Sequence, residues 1–234
     1  MIRNFCSDWE AQYNAFLKVI RSDFPYELHE DLFDNNLQNL FQDVYEDIIS
    51  QHARIQNPYF SRKGKGILNL AFLDHFLILA FRFGHALYKA DLSMEIADAL
   101  YYSGRIRTST DIFYRAEIGD FFLPSHPIGT VLGSRATYGK GFRPYNGVHI
   151  GPFDVLGKAP SELVHPVIGD GVIIFPNASL YGGTIIGNNV TISAGTTVIN
   201  ENVPDNCIVF GESPDLKVMP NKHDNYEILE KGLF

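Results

Sequence analysis

Two cysteines in 234 residues, Cys6 and Cys207, are too few and too far apart to make a disulfide framework or a metal knuckle. A reduced, cytoplasmic chain is expected. The opening MIRNFCSDWEAQYN holds no apolar core of a signal peptide, so no secretory leader is expected either. Basic charge is scarce: 19 Lys and Arg against 27 Asp and Glu leave a net charge of −8 with no clustered cationic face. That balance argues against nucleic acid or an anionic membrane surface as a partner. A bilayer-spanning run is missing as well. The most apolar stretch, Ile67 to Tyr88, contains Asp74, His75, Arg82 and His85, which lipid penalises, so it is expected to be a buried helix with its histidines in the core. Neither a Walker loop nor a Rossmann glycine pattern is present, which excludes the commonest nucleotide cradles.

What the sequence does have is a period of six. Ile168, Ile174, Leu180, Ile186, Ile192 and Val198 recur at every sixth position, and four places after each come Val172, Ala178, Thr184, Val190, Thr196 and Asn202. Six matches neither the 3.6 of a helix nor the 2 of a strand. It matches a parallel β-helix of three short edges per coil, with the aliphatic series stacked inside a narrow prism. Leu132, Ile150, Ile168 and Ile186, each followed by glycine, are eighteen apart and predict one coil per step. Ile118-Gly119 breaks that spacing, so the first coil is expected to be irregular. Pro152 to Val164 carries Glu162 where an inward aliphatic is due, and is expected to leave the prism as a loop beside a site. Upstream, Trp9, Tyr13, Phe16, Leu17 and Ile20, then Leu32, Leu37, Leu40, Phe41, Val44 and Ile48, repeat at helical spacing. The expected organisation is α+β: a helical domain over 1–106, a β-helix over 107–218 and a C-terminal tail over 219–234.

Ala80-Phe81-Arg82-Phe83-Gly84-His85, Thr110-Asp111-Ile112, His126, His165-Pro166 and the hexapeptide run carry a resemblance. Over roughly residues 50 to 218 the chain resembles the serine acetyltransferases of the hexapeptide-repeat acyltransferase superfamily. The resemblance implies a left-handed parallel β-helix, homotrimers that often pair as dimers of trimers, acetyl-CoA as co-substrate and no metal. The separation of fifteen between Asp111 and His126 matches the family's catalytic aspartate and histidine, and His165 matches its second, acceptor-side histidine. The chemistry suits them. Acetylating an alcohol requires removing a hydroxyl proton as it attacks, which an imidazole titrating near neutrality does well, and a carboxylate behind the ring fixes its tautomer. His126 is the expected general base and Asp111 its orienter, with oxyanion donors near Gly151. With neither cysteine near these residues in sequence, direct transfer is expected rather than an acyl-enzyme. His149, one residue before a core rung, is expected to be structural or exposed. The resemblance also implies acetyl-CoA along a groove between coils, where Gly151, Gly182, Gly183, Ser193, Ala194 and Gly195 would allow close approach and Lys158 would meet a phosphate.

The acceptor side departs from the family. An aspartate before proline in the helical domain, an aspartate before the catalytic histidine and an arginine before the second one become Asn57, Ser125 and Val164. Each lost charge-assisted contact matters by about 1.5 to 3 kcal/mol. Nearby Tyr114, Phe121, Phe122, Tyr138, Phe142 and Tyr145 suit a neutral ring. The expectation is therefore an acetyl-CoA-dependent O-acetyltransferase acting on a small or saccharide hydroxyl. Serine O-acetylation for cysteine biosynthesis is the alternative, and a non-catalytic β-helix scaffold is less favoured. The ending Lys231-Gly232-Leu233-Phe234 lacks the terminal isoleucine of family members that dock into cysteine synthase, which puts that complex in doubt. A zinc enzyme of the γ-carbonic anhydrase kind needs two histidines about five apart, which His126, His149 and His165 do not provide.

Overall fold

The computed structural model describes residues 8–153 and 156–232, so Cys6, Leu233 and Phe234 lie outside the described residues. It divides into two units, one running to Thr108 and taken up again from Glu230, the other spanning Ser109–Leu229.

The first unit is helical: α1 Trp9–Asp23, α2 Asn35–Ala53, α3 Leu73–Lys89 and α4 Met94–Thr108. Asp8 and Asp34 cap α1 and α2 by accepting from Glu10 N and Leu37 N. Phe16, Phe41 and Phe83 form its aromatic centre, with Phe41 and Phe83 edge to face at 5.2 Å. Between α2 and α3, Ser61–Arg62 and Lys65–Gly66 make a small antiparallel hairpin. Gly66 lies so close to α2 that a Cβ there would be 1.9 Å from the Ile49 carbonyl oxygen. The apolar helix begins at Leu73 rather than Ile67. His75 reaches back to accept from Asn69 N through Nδ1 at 3.1 Å, holding 67–72 as irregular backbone. Among the described residues no helix is long and apolar enough to cross a membrane.

His52 and His75 are both buried, their rings 4.9 Å apart. His52 donates from Nδ1 to the Ile67 carbonyl at 2.6 Å. Burial pushes its pKa down to about 4; burial, with His52 alongside, pushes His75 down as well. Both are held neutral in the fold, whereas an unfolded histidine titrates near 6.5. The unfolded chain thus binds more protons between those values, and stability is lost as pH falls through that window. Urea unfolding of the helical unit is expected to show His52 alone removing about 2 kcal/mol between pH 7 and pH 5; an unfolding free energy that is flat over that range would contradict it.

The second unit is a parallel β-helix. Its first face stacks Asp111–Ile112, Val131–Leu132, His149–Gly151, Ser179–Tyr181 and Thr197–Ile199. The second stacks Glu117–Ile118, Thr137–Tyr138, Val167–Ile168, Ile185–Ile186 and Asn202–Val203. The third stacks Arg143–Pro144, Ile173–Ile174, Thr191–Ile192 and Cys207–Phe210, with Lys217–Pro220 added antiparallel. The expected rungs Ile168, Ile174, Leu180, Ile186, Ile192 and Val198 are all buried, at 0–2% exposure. Left-handed backbone at Asn177, Asn189, Gly195 and Asn200 turns the corners.

The register departs from a strict eighteen-residue coil in three places, the first of them the irregular first coil expected from Ile118-Gly119. The first coil is long, with Ile112 pairing to Leu132 twenty residues on. Ile150 pairs with Leu180, not Ile168, because residues 152–164 are extruded between the first and second faces. The eighteen residues from Ile150 to Ile168 are therefore one edge plus a loop, and not a coil. The last coil is one residue short, so Val203 rather than its neighbour continues the ladder and Asn202 faces outward. Tyr138 occupies a rung, buried with its hydroxyl donating to Gly133 O at 3.0 Å, and it packs on Phe142 at 5.0 Å.

Beyond Pro220 the chain packs onto the second–third corner. Asn225, fully buried at the start of α5 Asn225–Lys231, donates to Gly171 O and Val190 O, and Tyr226 OH donates to Lys140 O at 2.9 Å. Leu180→Ala, which removes a rung with rungs above and below, is expected to cost about 2 to 5 kcal/mol in denaturant unfolding. A loss under 1 kcal/mol would mean the ladder is not the core.

Candidate active site

The two surplus residues of the first coil lie at the third–first corner, in the segment 126–130. His126 is there with φ +48°, a left-handed backbone that non-glycine residues seldom adopt. Such a conformation persists where its surroundings over-determine it. Thr110 Oγ1 donates to Pro127 O at 2.7 Å, Gly129 N to Ser109 O at 2.9 Å and Asp111 N to Thr130 O at 2.8 Å. The segment is thus stitched along 109–111, with the His126 side chain exposed and Asp111 half-buried at the start of the first face. His149 lies two rungs along that face from Asp111, and its Nε2 is 3.1 Å from Gly129 O, a further tie on the segment.

Ser125 is buried, and its Oγ accepts from Arg143 Nε at 2.9 Å. Arg143 is 2% exposed, with its guanidinium 5.1 Å from the Tyr145 ring. Where the family resemblance implies a carboxylate before the general base, this chain places a hydroxyl against a buried cation. Sequence reading missed Arg143. The available signal was its slot on the third face, which the next coil fills with Ile173.

Ser193, Ala194 and Gly195 lie at the same corner, two coils beyond Asn146 and Gly147. Ala194 and Gly195 are exposed, and nothing stands within 4 Å of a side chain placed on Gly195.

His165 is at the other end of the first face, on the first–second corner. Six extended residues span roughly 20 Å, so one chain does not bring His126 and His165 together. The extruded loop leaves beside His165. Within it Pro160–Glu162 form one 3₁₀ turn, and the Glu162 carboxylate accepts from Ala159 N at 2.6 Å, which explains a charged residue where a rung was due. Lys158 is exposed in this loop, and Asp154 and Val155 lie outside the described residues. Gly151 ends its strand with open space beside it. Gly182 is not an open corner: it is buried, and a side chain there would strike Asn200 Oδ1 and Phe153. Gly183 N donates to the same Asn200 oxygen at 2.8 Å, and Val164 is exposed next to it.

His165 is half-buried. Both ring nitrogens are shielded from solvent and make no hydrogen bond among the described residues. Burial, then the nearby Arg135 guanidinium, hold its pKa below the ordinary histidine value. Arg135 is a second residue that sequence reading missed.

Asn57 belongs to the helical unit, where its amide is used locally: Oδ1 accepts from Tyr59 N and Nδ2 donates to Gly232 O. Tyr114, Phe121, Phe122, Tyr138 and Phe142 are all buried within the β-helix unit, and Tyr145 is half-buried against Phe175. The first five fill the prism and its corners and are not accessible as a ring-binding platform. Among the described residues no three His, Cys, Asp or Glu side chains are grouped to hold a metal ion.

The family model for bacterial transferase hexapeptide (six repeats) matches residues 165–200. The serine acetyltransferase of Bacillus pumilus is 30% identical over 156 residues, which are 67% of this chain and 69% of that protein. That of Synechococcus elongatus is 31% identical over 134 residues, 57% of this chain, and the match spans about half, 52%, of the relative's length. The crystal structure of Neisseria gonorrhoeae serine acetyltransferase in complex with serine superposes with a TM-score of 0.65 at 24% identity, covering 87% of this chain and 81% of that one. Repeat and fold together define a hexapeptide-repeat transferase, an N-terminal helical unit followed by a left-handed parallel β-helix. Within that class the chain belongs to the serine acetyltransferase family.

Ser125→Ala strands the Arg143 Nε–H in a buried place, and is expected to lower the unfolding free energy by about 1 to 3 kcal/mol. An unchanged denaturation midpoint would show that the Ser125–Arg143 contact adds nothing to stability.

Proposed function

We propose that the protein is an acetyl-CoA-dependent serine O-acetyltransferase whose active site is assembled from two copies of the chain. One observation carries the reading. The two histidines that match the family's pair stand at opposite ends of one face, so a neighbouring copy must bring His165 to His126. A closed threefold ring sets the third–first corner of each copy against the first–second corner of the next. Exposed Ile128, Val131, Val167 and Ile185 flank these two corners, an apolar surface of the kind a neighbour covers. The groove so formed also unites the exposed Ala194 and Gly195 of one copy with Gly151 and Lys158 of the next, along the expected path of acetyl-CoA. A solved serine acetyltransferase of this fold holds CoA, and another holds serine.

In this site His126 takes the hydroxyl proton as the serine oxygen attacks the thioester carbonyl, and Asp111 holds the imidazole in the tautomer that accepts it. The tetrahedral oxyanion collapses, the carbon–sulfur bond breaks and the imidazolium returns the proton to the CoA thiolate. Serine is favoured over a saccharide because the relatives are serine acetyltransferases and because five of the six aromatic rings that suggested a sugar are in the core.

CoA release from acetyl-CoA by purified protein is expected with L-serine and not with a panel of sugars, and to fall at least about a hundredfold in His126→Ala. Turnover with a sugar alone would overturn the choice of acceptor, and no turnover together with no CoA binding would sink the enzyme. Mixing inactive His126→Ala and His165→Ala chains, unfolded and refolded together, is expected to regain activity at about a quarter of the interfaces. No recovery in mixed oligomers would place both histidines in one copy.

A further inference from the structure

The first–second corner carries a column of two arginines and a histidine. Thr137 pairs with Glu117 on one side and Val167 on the other. Thr137 N donates to Pro166 O, so the register continues backward past the strands. Two places before these partners lie Arg115, Arg135 and His165, on three successive coils. Like positions on adjacent coils are about 4.8 Å apart. Arg115 and Arg135 are exposed, and Arg115 lies 5.8 Å from the Phe113 ring. His165, next in the column, has two shielded ring nitrogens with no hydrogen bond among the described residues. The loop residue before it, Val164, is the slot where the family resemblance implies a guanidinium.

We propose that Arg135, backed by Arg115, binds the carboxylate of the acceptor amino acid beside His165, so that the guanidinium absent from position 164 is supplied from one coil away. This rests on the serine reading above and deepens it. Two exposed guanidinium groups one coil apart suit an anion at this corner. Neutral hydroxyl compounds do not use a paired guanidinium, whereas a carboxylate receives two parallel N–H bonds from one arginine. Meanwhile Ser125 withdraws the carboxylate that the family's pattern sets before the general base. The site therefore recognises its acceptor chiefly through the negative end, and the acceptor class is a hydroxylated carboxylate.

The test compares unaltered protein with Arg135→Ala and Arg135→Lys, using L-serine, ethanolamine (serine without its carboxylate) and 3-hydroxypropionate (serine without its ammonium). Arg135→Ala is expected to raise KM for serine about tenfold to a hundredfold, with kcat and the KM for acetyl-CoA little changed. Lysine, a point charge without the fork, restores part of the loss. Ethanolamine is expected to be a poor acceptor, equally poor in both variants, and 3-hydroxypropionate to be acetylated and to need Arg135. Arg135 is on an exposed turn, and unaltered thermal unfolding identifies a folded variant. An unchanged serine KM overturns the assignment, as does a loss that falls on acetyl-CoA, which would make Arg135 a phosphate contact. Absence of serine turnover by the unaltered protein overturns the serine reading and this assignment together.

Discussion

Everything in the β-helix depends on like stacking on like. Ile112, Leu132, Ile150, Leu180 and Val198 share one column because parallel strands at a fixed spacing admit no drift. A surplus residue cannot be absorbed along an edge, where it would turn the rungs out to solvent, and so must leave at a corner. The two insertions, 126–130 and 152–164, bracket the same first face, and each adjoins a candidate histidine. Departure from the repeat is what makes room for chemistry in a wall that otherwise only holds itself up.

The ladder was legible in the sequence because it is a local pattern, each rung announced by its own period. Relations across an insertion were not. Ile150 and Ile168 have the spacing of one coil by coincidence of a six-residue edge and a twelve-residue loop, and only the hydrogen-bond register assigns them to different faces. Arg135 escaped notice for the same reason. It stands thirty residues from His165 in sequence and one rung away in register. Aromatic residues were visible, but nothing in their order says whether a ring points into the prism or out of it. Tyr138 and Phe142 point in. His126 and Asp111 were found through their spacing, yet the backbone conformation that displays the imidazole at an expanded corner was invisible until the coil length was known.

Electrostatics around the candidate site differs from what the family resemblance implies on both sides. Next to His126, Ser125 with buried Arg143 stands in the slot of a carboxylate. Next to His165, an uncharged Val164 adjoins a column of arginines. The guanidinium charge at this corner lies on β-helix turns, at Arg115 and Arg135, while the long loop carries Lys158. A net charge of −8 conceals this. The cations of an acidic chain are few enough that their alignment on one corner is informative.

The far end of the solenoid has its own logic. A parallel β-helix ends in a coil whose backbone donors and acceptors are ready to receive another coil, an invitation to endless end-to-end growth. Here the strand after Cys207–Phe210 turns back as Lys217–Pro220 and runs antiparallel, exposed and with a lysine at its start and a proline at its close. The reversed polarity offers a newcomer no parallel template, and the proline lacks a donor. On the third face, therefore, a further coil finds no strand of the right polarity to pair with, and growth by parallel addition is blocked there by the chain's own returning strand.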